Sequence, residues 1–256
     1  MGGNALEAAE SRRAALRALA EDLQGLANKG HRVVLVHGGG PAIRQLLERL
    51  GLPSVFEQGL RVTDAAAMEV VNDALGGVNT LITAELNAAG CDAVGVSGAS
   101  AGLVTGTVTT GPWGRVAEEL TVNVSLLEAM WVAGFVPVVS SVVRDDDGDL
   151  LNANADAVAG ALAGALRADT LVLLSDVAQL RRHPDDPSSA LATVTASEIR
   201  ELVVTGAIRD GMVPKAQAAV TALDHGASRV VLAYGGTPGA VGDVLSNRTL
   251  TTEVRP

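Results

Sequence analysis

The chain has 256 residues, a hydrophobic content of 48% and a formal net charge of −10, with aromatic residues at only 2%. A chain of this length and hydrophobicity buries a sizeable core, as one large α/β domain or two closely joined lobes. The acidic balance argues against a nucleic-acid or anionic-membrane binder, because both need a basic face. Cys91 is the only cysteine, which excludes an internal disulfide framework, and the lack of a long apolar segment predicts a cytoplasmic protein.

The N-terminal stretch opens on Gly2 and Gly3, and Asn4 is a candidate N-cap for the helix that follows. Four leucines at helical spacing predict one apolar face for that helix: Leu16, Leu19, Leu23 and Leu26. A glycine pair of this kind is expected to follow a strand, yet none precedes it in the chain.

Residues 33–43 (VVLVHGGGPAI) predict a buried strand, a bare turn and a helix start. Val33–Val36 form the strand, and Pro41 is suited to the first helical position, where its missing N–H costs nothing. Backbone amides at such a turn, together with the positive end of the helix dipole, are a common phosphate site. A tight turn without a ligand is the alternative. Three consecutive glycines favour the phosphate site, although neither G-x-G-x-x-G nor the P-loop pattern is present.

Residues 51–64 predict a loop or hairpin that carries Arg61 between two aliphatic residues. A guanidinium held in this way suits a substrate carboxylate. A surface arginine paired to Glu57 or Asp64 is equally consistent with the sequence.

The remaining elements follow from apolar periodicity and capping residues. Thr63 or Asp64 is expected to cap a helix that ends near Leu75, with another helix after Gly77. Further strands are predicted at 92–96, 102–109, 115–120, 135–143, 170–174 and 229–234, with a C-terminal strand last. Capping is expected from a Ser125/Glu128 box and from Ser197. The acidic run at 145–149 predicts a hairpin turn, because it lacks the spacing and closing Glu of a calcium loop.

Residues 152–156 (NANAD) lead into an Ala/Gly-rich helix. Asn154 is suited to cap it, which places Asp156 in its first turn and Asn152 just outside. The carboxylate of Asp156 balances the helix dipole in the simplest interpretation. Two amides and an acid that converge at a helix start also suit the orientation of a substrate.

Polar residues and a conspicuous lysine mark the last third of the chain. Ser175 and Asp176 follow an apolar strand, where ligands bind in open parallel sheets. Lys29 and Lys215 are the only lysines among 19 basic residues. Lys29 suits a helix C-terminus, whereas Lys215 falls in a first turn, where a cation opposes the dipole unless an anion binds there.

The alternation of strands and helices, with glycine turns after successive strands, predicts a three-layer α/β/α sandwich with a mainly parallel central sheet. We expect one domain over residues 1–256, with lobes at about 1–150 and 151–256.

Six segments occur in the order and spacing typical of the amino acid kinase family. They are GGNA at 2–5, HGGGP at 37–41, GLRVTD at 59–64, NANAD at 152–156, LSDV at 174–177 and DGMVPK at 210–215. The similarity spans essentially the whole chain, and it resembles most the branch that makes an acyl phosphate from ATP and the side-chain carboxylate of N-acetyl-L-glutamate, in arginine biosynthesis.

The resemblance implies a role for each segment. The transferring phosphoryl group would lie against Gly38, Gly39 and Gly40, with Gly39 and Gly40 in catalytic positions and Gly38 and Gly39 also touching the substrate. Arg61 would clamp the α-carboxylate, and Asn152 and Asn154 would bind the amino-acid part. Asp156 would organise the catalytic groups, and Lys215 would neutralise the phosphoryl charge. The nucleotide would be bordered by Gly2, Gly3, Ser175, Asp176, Gly211 and Met212. No covalent nucleophile is needed, because the carboxylate attacks ATP directly, with Mg2+ held mainly by the ATP phosphates.

Departures from the family pattern keep alternatives open. The family carries a second catalytic lysine two positions before its first glycine, and here that position lies before Met1. Either the natural start lies upstream or the protein is a non-catalytic metabolite sensor. Thr80 stands where relatives often have lysine. A kinase for a carrier-linked aminoadipate or glutamate is a further alternative, while uridylate or aspartate kinases fit the GLRVTD segment poorly. We expect a homodimer.

Overall fold

A computed structural model describes residues 9–183, 185–209 and 211–256, with side chains from residue 12 onward. The helices are α1 (Ala9–Asn28), α2 (Gly40–Arg49), α3 (Ala65–Ala88), α4 (Ser125–Val132), α5 (Ala155–Ala165), α6 (Ala196–Val204), α7 (Met212–Asp224) and α8 (Ala240–Leu245). Strands β1 to β6 are Leu35–His37, Phe56–Glu57, Leu60–Arg61, Ala93–Ser97, Val104–Val108 and Ala117–Val122. Strands β7 to β13 are Val136–Ser140, Val142–Arg144, Leu150–Asn152, Leu171–Ser175, Thr193–Thr195, Val230–Tyr234 and Thr251–Arg255.

The chain divides into two compact units. One comprises Leu23–Val158, and the other comprises Ala159–Pro256 together with the chain up to Asp22. The mixed α/β fold with parallel strands agrees with the sequence prediction.

The unit Leu23–Val158 contains a parallel three-stranded sheet in the order β1-β7-β4. A second sheet has the order β6-β5-β8-β9, and β2 and β3 form a separate antiparallel hairpin. Apolar faces of α2 and α3 pack together through Ile43 and Leu47 on one side and Met68, Val71 and Leu75 on the other. This packing fixes the start of α2 and hence the turn that follows β1.

The other unit contains a four-stranded sheet in the order β10-β12-β13-β11. Strands β10 and β12 run parallel, and β12 and β13 run antiparallel. Small residues permit close helix packing here: a Cβ at Gly160 of α5 would lie 2.7 Å from the carbonyl oxygen of Ala218 in α7. The Ala-rich composition therefore allows these two helices to approach backbone to backbone.

Several local predictions are confirmed. The segment 51–64 contains the β2–β3 hairpin, and the acidic turn at 145–149 joins the antiparallel strands β8 and β9. Asp64 caps α3 by accepting from the Ala67 amide at 2.8 Å. The apolar face of α1 is also confirmed for Leu16, Leu19 and Leu23, which are buried. The predicted cap Asn4 lies outside the described residues.

Other local predictions are wrong, each for a physical reason. Instead of two helices around Gly76 and Gly77, α3 is continuous from Ala65 to Ala88, because its long buried face outweighs the low helix propensity of two glycines. The strand predicted over 135–143 is interrupted between Ser140 and Val142, which belong to different sheets.

Two predicted caps are also wrong. At α4, the amide of Ser125 donates to the side-chain oxygen of Asn123, so no Ser125/Glu128 box forms. At α6, Thr195 rather than Ser197 is the cap, and it forms a capping box with Glu198. Both errors place the helix start one or two residues too late, which is the usual uncertainty of boundaries.

None of the described helices is long and apolar enough to cross a membrane.

Candidate active site

The glycine turn after β1 has the geometry of an anion site. Strand β1 ends at His37, and α2 begins at Gly40 with proline in its first turn. Gly39 is the N-cap and has no side chain to satisfy the helix amides. In the part of the chain that the structure describes, the amides of Gly39 and Gly40 donate to no backbone acceptor. A Cβ at Gly40 would meet no atom within 4 Å, so there is room for a ligand.

A side chain at Gly38 or Gly39 would be crowded by the surrounding residues. A Cβ at Gly39 would lie 2.8 Å from Cδ2 of Leu75, and one at Gly38 would lie 3.3 Å from Cβ of Ala155. Ala155 is the first residue of α5, so the turn lies against the start of that helix. The glycine turn therefore lies close to the first turn of α5, which carries Asp156.

Asn154 caps α5 as predicted. Its Oδ1 accepts from the amides of Asp156 at 2.8 Å and of Ala157 at 3.3 Å. The cap orients the first turn of α5, which carries Asp156. Since this oxygen is engaged, any contact of Asn154 with a substrate would use its amide nitrogen.

Arg61 is buried, with 7% of its surface exposed. Its Nη1 donates to Oγ of Ser54 at 2.7 Å, and its guanidinium lies 4.6 Å from the centre of the Phe56 ring. Burial, reinforced by the charge of Arg44, lowers the pKa of Arg61. Among the described residues no carboxylate lies within ion-pair distance of this guanidinium. The alternative of a surface arginine paired to Glu57 or Asp64 is therefore wrong, because the side chain is neither at the surface nor paired.

Asn152 is tied to the Arg61 strand by a short chain of hydrogen bonds. Its Nδ2 donates to Oγ1 of Thr63 at 3.1 Å, and Thr63 donates to the carbonyl of Arg61 at 2.9 Å. Thr63 is fully buried. The structure thus brings together Asn152 and the backbone of Arg61, two residues that the sequence assigned to one substrate.

His37 and Asn79 form a buried pair that sequence reasoning missed. Nε2 of His37 lies 2.9 Å from Nδ2 of Asn79, and Nδ1 of His37 lies 3.0 Å from the carbonyl oxygen of Gly38. Burial lowers the pKa of His37. A signal was present, because Asn79 is the one polar member of a buried stripe on α3 that includes Val71, Leu75, Ile82 and Leu86.

The remaining candidate residues lie in the unit that contains Ala159–Pro256. Ser175 ends β10 and is buried, and its Oγ donates to Oδ1 of Asp176 at 3.1 Å and lies 3.7 Å from the sulfur of Met212. Gly211 is the N-cap of α7, and a Cβ there would meet no atom within 4 Å. Lys215 lies in the first turn of α7, as predicted. Gly2, Gly3 and Asp210 lie outside the described residues.

Parallel strands, a bare glycine turn at a helix start and a buried cation without a carboxylate partner among the described residues define an α/β protein built to bind anionic ligands. The model of the amino acid kinase family matches residues 1–234, and the chain belongs to that family.

Curated relatives support the assignment over most of their length. The acetylglutamate kinase of Synechococcus sp. (strain CC9605) is 43% identical over 247 residues, which cover 94% of this chain and 82% of that protein. The acetylglutamate kinase of Cereibacter sphaeroides (strain ATCC 17029 / ATH 2.4.9) is 41% identical over 241 residues, covering 93% and 80%. Among solved structures, smu.665 from Streptococcus mutans UA159 aligns with a TM-score of 0.77 and 26% identity, covering 92% of this chain and 91% of that one.

Proposed function

We propose that this protein is an acetylglutamate kinase, which uses ATP to phosphorylate the side-chain carboxylate of N-acetyl-L-glutamate in arginine biosynthesis. Family membership implies ATP as the phosphoryl donor, and the names of the curated relatives support the acceptor. The observation that carries the proposal is the buried Arg61, whose guanidinium has no carboxylate partner among the described residues. A buried cation of this kind is stabilised when a ligand supplies the missing anion.

The acceptor is held through its α-carboxylate and its amide group. Arg61 has a planar fork whose Nη1 binds Ser54, so other N–H groups are available to the carboxylate. Asn152 and Asn154 bind the acetylated amino-acid part. The hydrogen bonds from Asn152 to Thr63 and from Thr63 to the Arg61 carbonyl keep these two groups in a fixed relation.

The transfer is a direct displacement at phosphorus. A side-chain carboxylate oxygen of the acceptor bonds to the γ-phosphorus, and the bond from that phosphorus to the β–γ bridging oxygen breaks, so that ADP leaves. The amides at Gly38, Gly39 and Gly40 hold the transferring group, Lys215 neutralises its charge, and Asp156 organises the catalytic groups. Catalysis then depends on positioning and electrostatic stabilisation rather than on a covalent intermediate.

The nucleotide is bordered by Ser175, Asp176, Gly211 and Met212, with Gly2 and Gly3 approaching the phosphates. The hydrogen bond of Ser175 to Asp176 and its contact with Met212 support this grouping. Mg2+ would be held mainly by the ATP phosphates, where it would supply charge neutralisation.

The predicted division of labour assigns the substrate to a lobe at about 1–150 and the nucleotide to a lobe at about 151–256. A homodimer remains a prediction from the family resemblance, and sedimentation equilibrium of the purified chain measures it.

The proposal is tested by hydroxamate formation, since acyl phosphates react with hydroxylamine. We expect ATP-dependent product with N-acetyl-L-glutamate and at least tenfold less with L-glutamate or L-aspartate. Product with a carrier-linked acceptor alone would assign the related carrier-dependent activity. No product on any acceptor, in a folded protein that still binds N-acetyl-L-glutamate, would favour the metabolite sensor and contradict the proposal.

A further inference from the structure

The contacts around His37 determine where its proton lies. The carbonyl oxygen of Gly38, which is only an acceptor, lies 3.0 Å from Nδ1 of His37. A hydrogen bond at this distance therefore needs the proton on Nδ1. His37 is 1% exposed, and burial favours its neutral form, which carries a single N–H. Nε2 is left as an acceptor.

Asn79 supplies the donor that Nε2 needs. Its Nδ2 lies 2.9 Å from Nε2 of His37 and 2.9 Å from the carbonyl oxygen of Val138 in β7. The carbonyl oxygen of Val96 also lies 3.4 Å from this Nδ2. Because both carbonyl oxygens accept only, the amide of Asn79 must present its NH2 group, whose two hydrogens serve the two nearer acceptors. Asn79 thereby excludes a proton on Nε2 and fixes the tautomer of His37.

Gly95 makes room for this arrangement. It lies in β4, and a Cβ at this position would collide with Oδ1 of Asn79. Asn79 donates to the Val138 carbonyl on one side and to Nε2 of His37 on the other, and His37 donates from Nδ1 to the Gly38 carbonyl, so this hydrogen-bond chain has a carbonyl acceptor at each end. It crosses from the middle strand of the parallel sheet to the glycine turn.

We infer that His37 and Asn79 are positioning residues, which hold the Gly38 carbonyl so that the amides of Gly39 and Gly40 face the transferring phosphoryl group. This inference rests on the proposed function for the identity of the anion. The amide of Gly39 is joined to the Gly38 carbonyl in one rigid peptide plane, so fixing the carbonyl direction fixes the direction of that N–H. Neither His37 nor Asn79 needs to touch the substrate.

Two substitutions test the roles of the two imidazole nitrogens of His37 separately. His37→Asn keeps a donor at the position of Nδ1, whereas His37→Gln places its polar group at the position of Nε2 and leaves the Gly38 carbonyl without its donor. Because misplacement of reacting groups by about 1 Å costs roughly 10²-fold in rate, we expect His37→Gln to lower kcat about 10²-fold. His37→Asn should retain kcat within about tenfold, and KM for N-acetyl-L-glutamate should change little in either variant.

A matched pair on α3 tests Asn79. Asn79→Leu removes the donor to Nε2 and should lower kcat in the same way as His37→Gln. Asn87→Leu is the control, because Asn87 bonds the backbone of Ala93 from the same helix and has no link to His37. We expect Asn87→Leu to lower the melting temperature and leave kcat unchanged. Equal kcat losses in His37→Asn and His37→Gln, or a loss confined to KM, would overturn the inference.

Two measurements that need no catalytic turnover also test the positioning role of His37. Imidazole 15N NMR should show His37 protonated at Nδ1 in the wild type, and a proton on Nε2 would overturn the inference. Inorganic phosphate is then titrated against the amide resonances of Gly39 and Gly40. We expect the Kd to be at least tenfold weaker in His37→Gln than in His37→Asn, and equal Kd values would contradict the positioning role. A protein that passes both tests yet makes no hydroxamate would refute the proposed function alone.

Discussion

Replacing Arg61 with methionine tests substrate recognition and separates it from folding. Arg61 is 7% exposed, and its guanidinium donates to Ser54 at 2.7 Å. Methionine fills similar space against Phe56 but removes the guanidinium. In the ligand-free protein the change removes a buried charge that has no carboxylate partner among the described residues. We therefore expect the free energy of unfolding to rise by about 1 kcal/mol, since an uncompensated buried charge is destabilising.

The same substitution should reduce activity, and this loss should be much larger than the expected gain in stability. A hydrogen bond to a charged group contributes about 1.5–3 kcal/mol, so two from the fork to the α-carboxylate contribute about 3–6 kcal/mol. This corresponds to a fall of about 10²- to 10⁴-fold in kcat/KM for N-acetyl-L-glutamate. The thermal stabilisation that N-acetyl-L-glutamate gives the wild type should be absent from the variant.

The assay combines hydroxamate kinetics with thermal unfolding, and Arg200→Met is the matched control. Arg200 is 52% exposed and pairs with Asp224, so its loss should change stability by at most about 1 kcal/mol and leave kcat/KM unchanged. If Arg61→Met unfolds more easily than the wild type by about 2 kcal/mol or more, Arg61 is a structural residue. An unchanged kcat/KM would refute the carboxylate clamp.

Four further predictions concern the turn, a cap and pH. Gly40→Ala should leave the melting temperature unchanged, because a Cβ there meets nothing within 4 Å, but lower kcat about 10²-fold by crowding the amides. Gly39→Ala should also lose about 1 kcal/mol of stability, because its Cβ would press on the packed Leu75. Thr195→Ala should cost about 1 kcal/mol in denaturant unfolding with kcat unchanged, because it removes only the α6 capping box. Burial lowers the pKa of His37 below 6.5. As the pH is lowered through 6.5, the unfolded chain therefore binds more protons than the folded protein, and the free energy of unfolding should decrease until the folded-state pKa is passed. His37→Asn should lack that component.

Each of these has an outcome that would contradict it. Equal melting temperatures for Gly39→Ala and Gly40→Ala would mean that the packing against Leu75 yields freely. A kcat loss in Thr195→Ala would link α6 to catalysis. Identical pH profiles of unfolding for the wild type and His37→Asn would show that His37 is protonated as easily in the folded protein as in the unfolded chain.

The local features that were predictable from sequence are those fixed by neighbours in the chain. The strand, turn and helix around Gly38–Gly40 follow from an apolar run, bare glycines and a proline at a helix start. The cap by Asn154 follows from the preference of asparagine for that position, and the first-turn location of Lys215 follows from helical spacing.

Features that depend on packing between distant residues were not predictable, although the polar position of Asn79 in the apolar stripe of α3 was visible in the sequence. The pair of His37 and Asn79 joins residues 42 positions apart and depends on the packing of α3 against the parallel sheet. The continuity of α3 through Gly76 and Gly77 has the same origin, because burial of its long face outweighs local propensity. Burial of Arg61 decided between two interpretations that the sequence left equal, and no pattern in residues 51–64 contains that information.

Transfer of isotope from acceptor to phosphate tests the central claim most directly. N-acetyl-L-glutamate labelled with 18O in its side-chain carboxylate is turned over with ATP, the product is cleaved with hydroxylamine, and the released phosphate is analysed by 31P NMR. Attack by the carboxylate on the γ-phosphorus predicts one 18O in each phosphate formed. Phosphate without 18O would show that water attacks ATP instead, and would contradict the account of this protein as a carboxylate kinase.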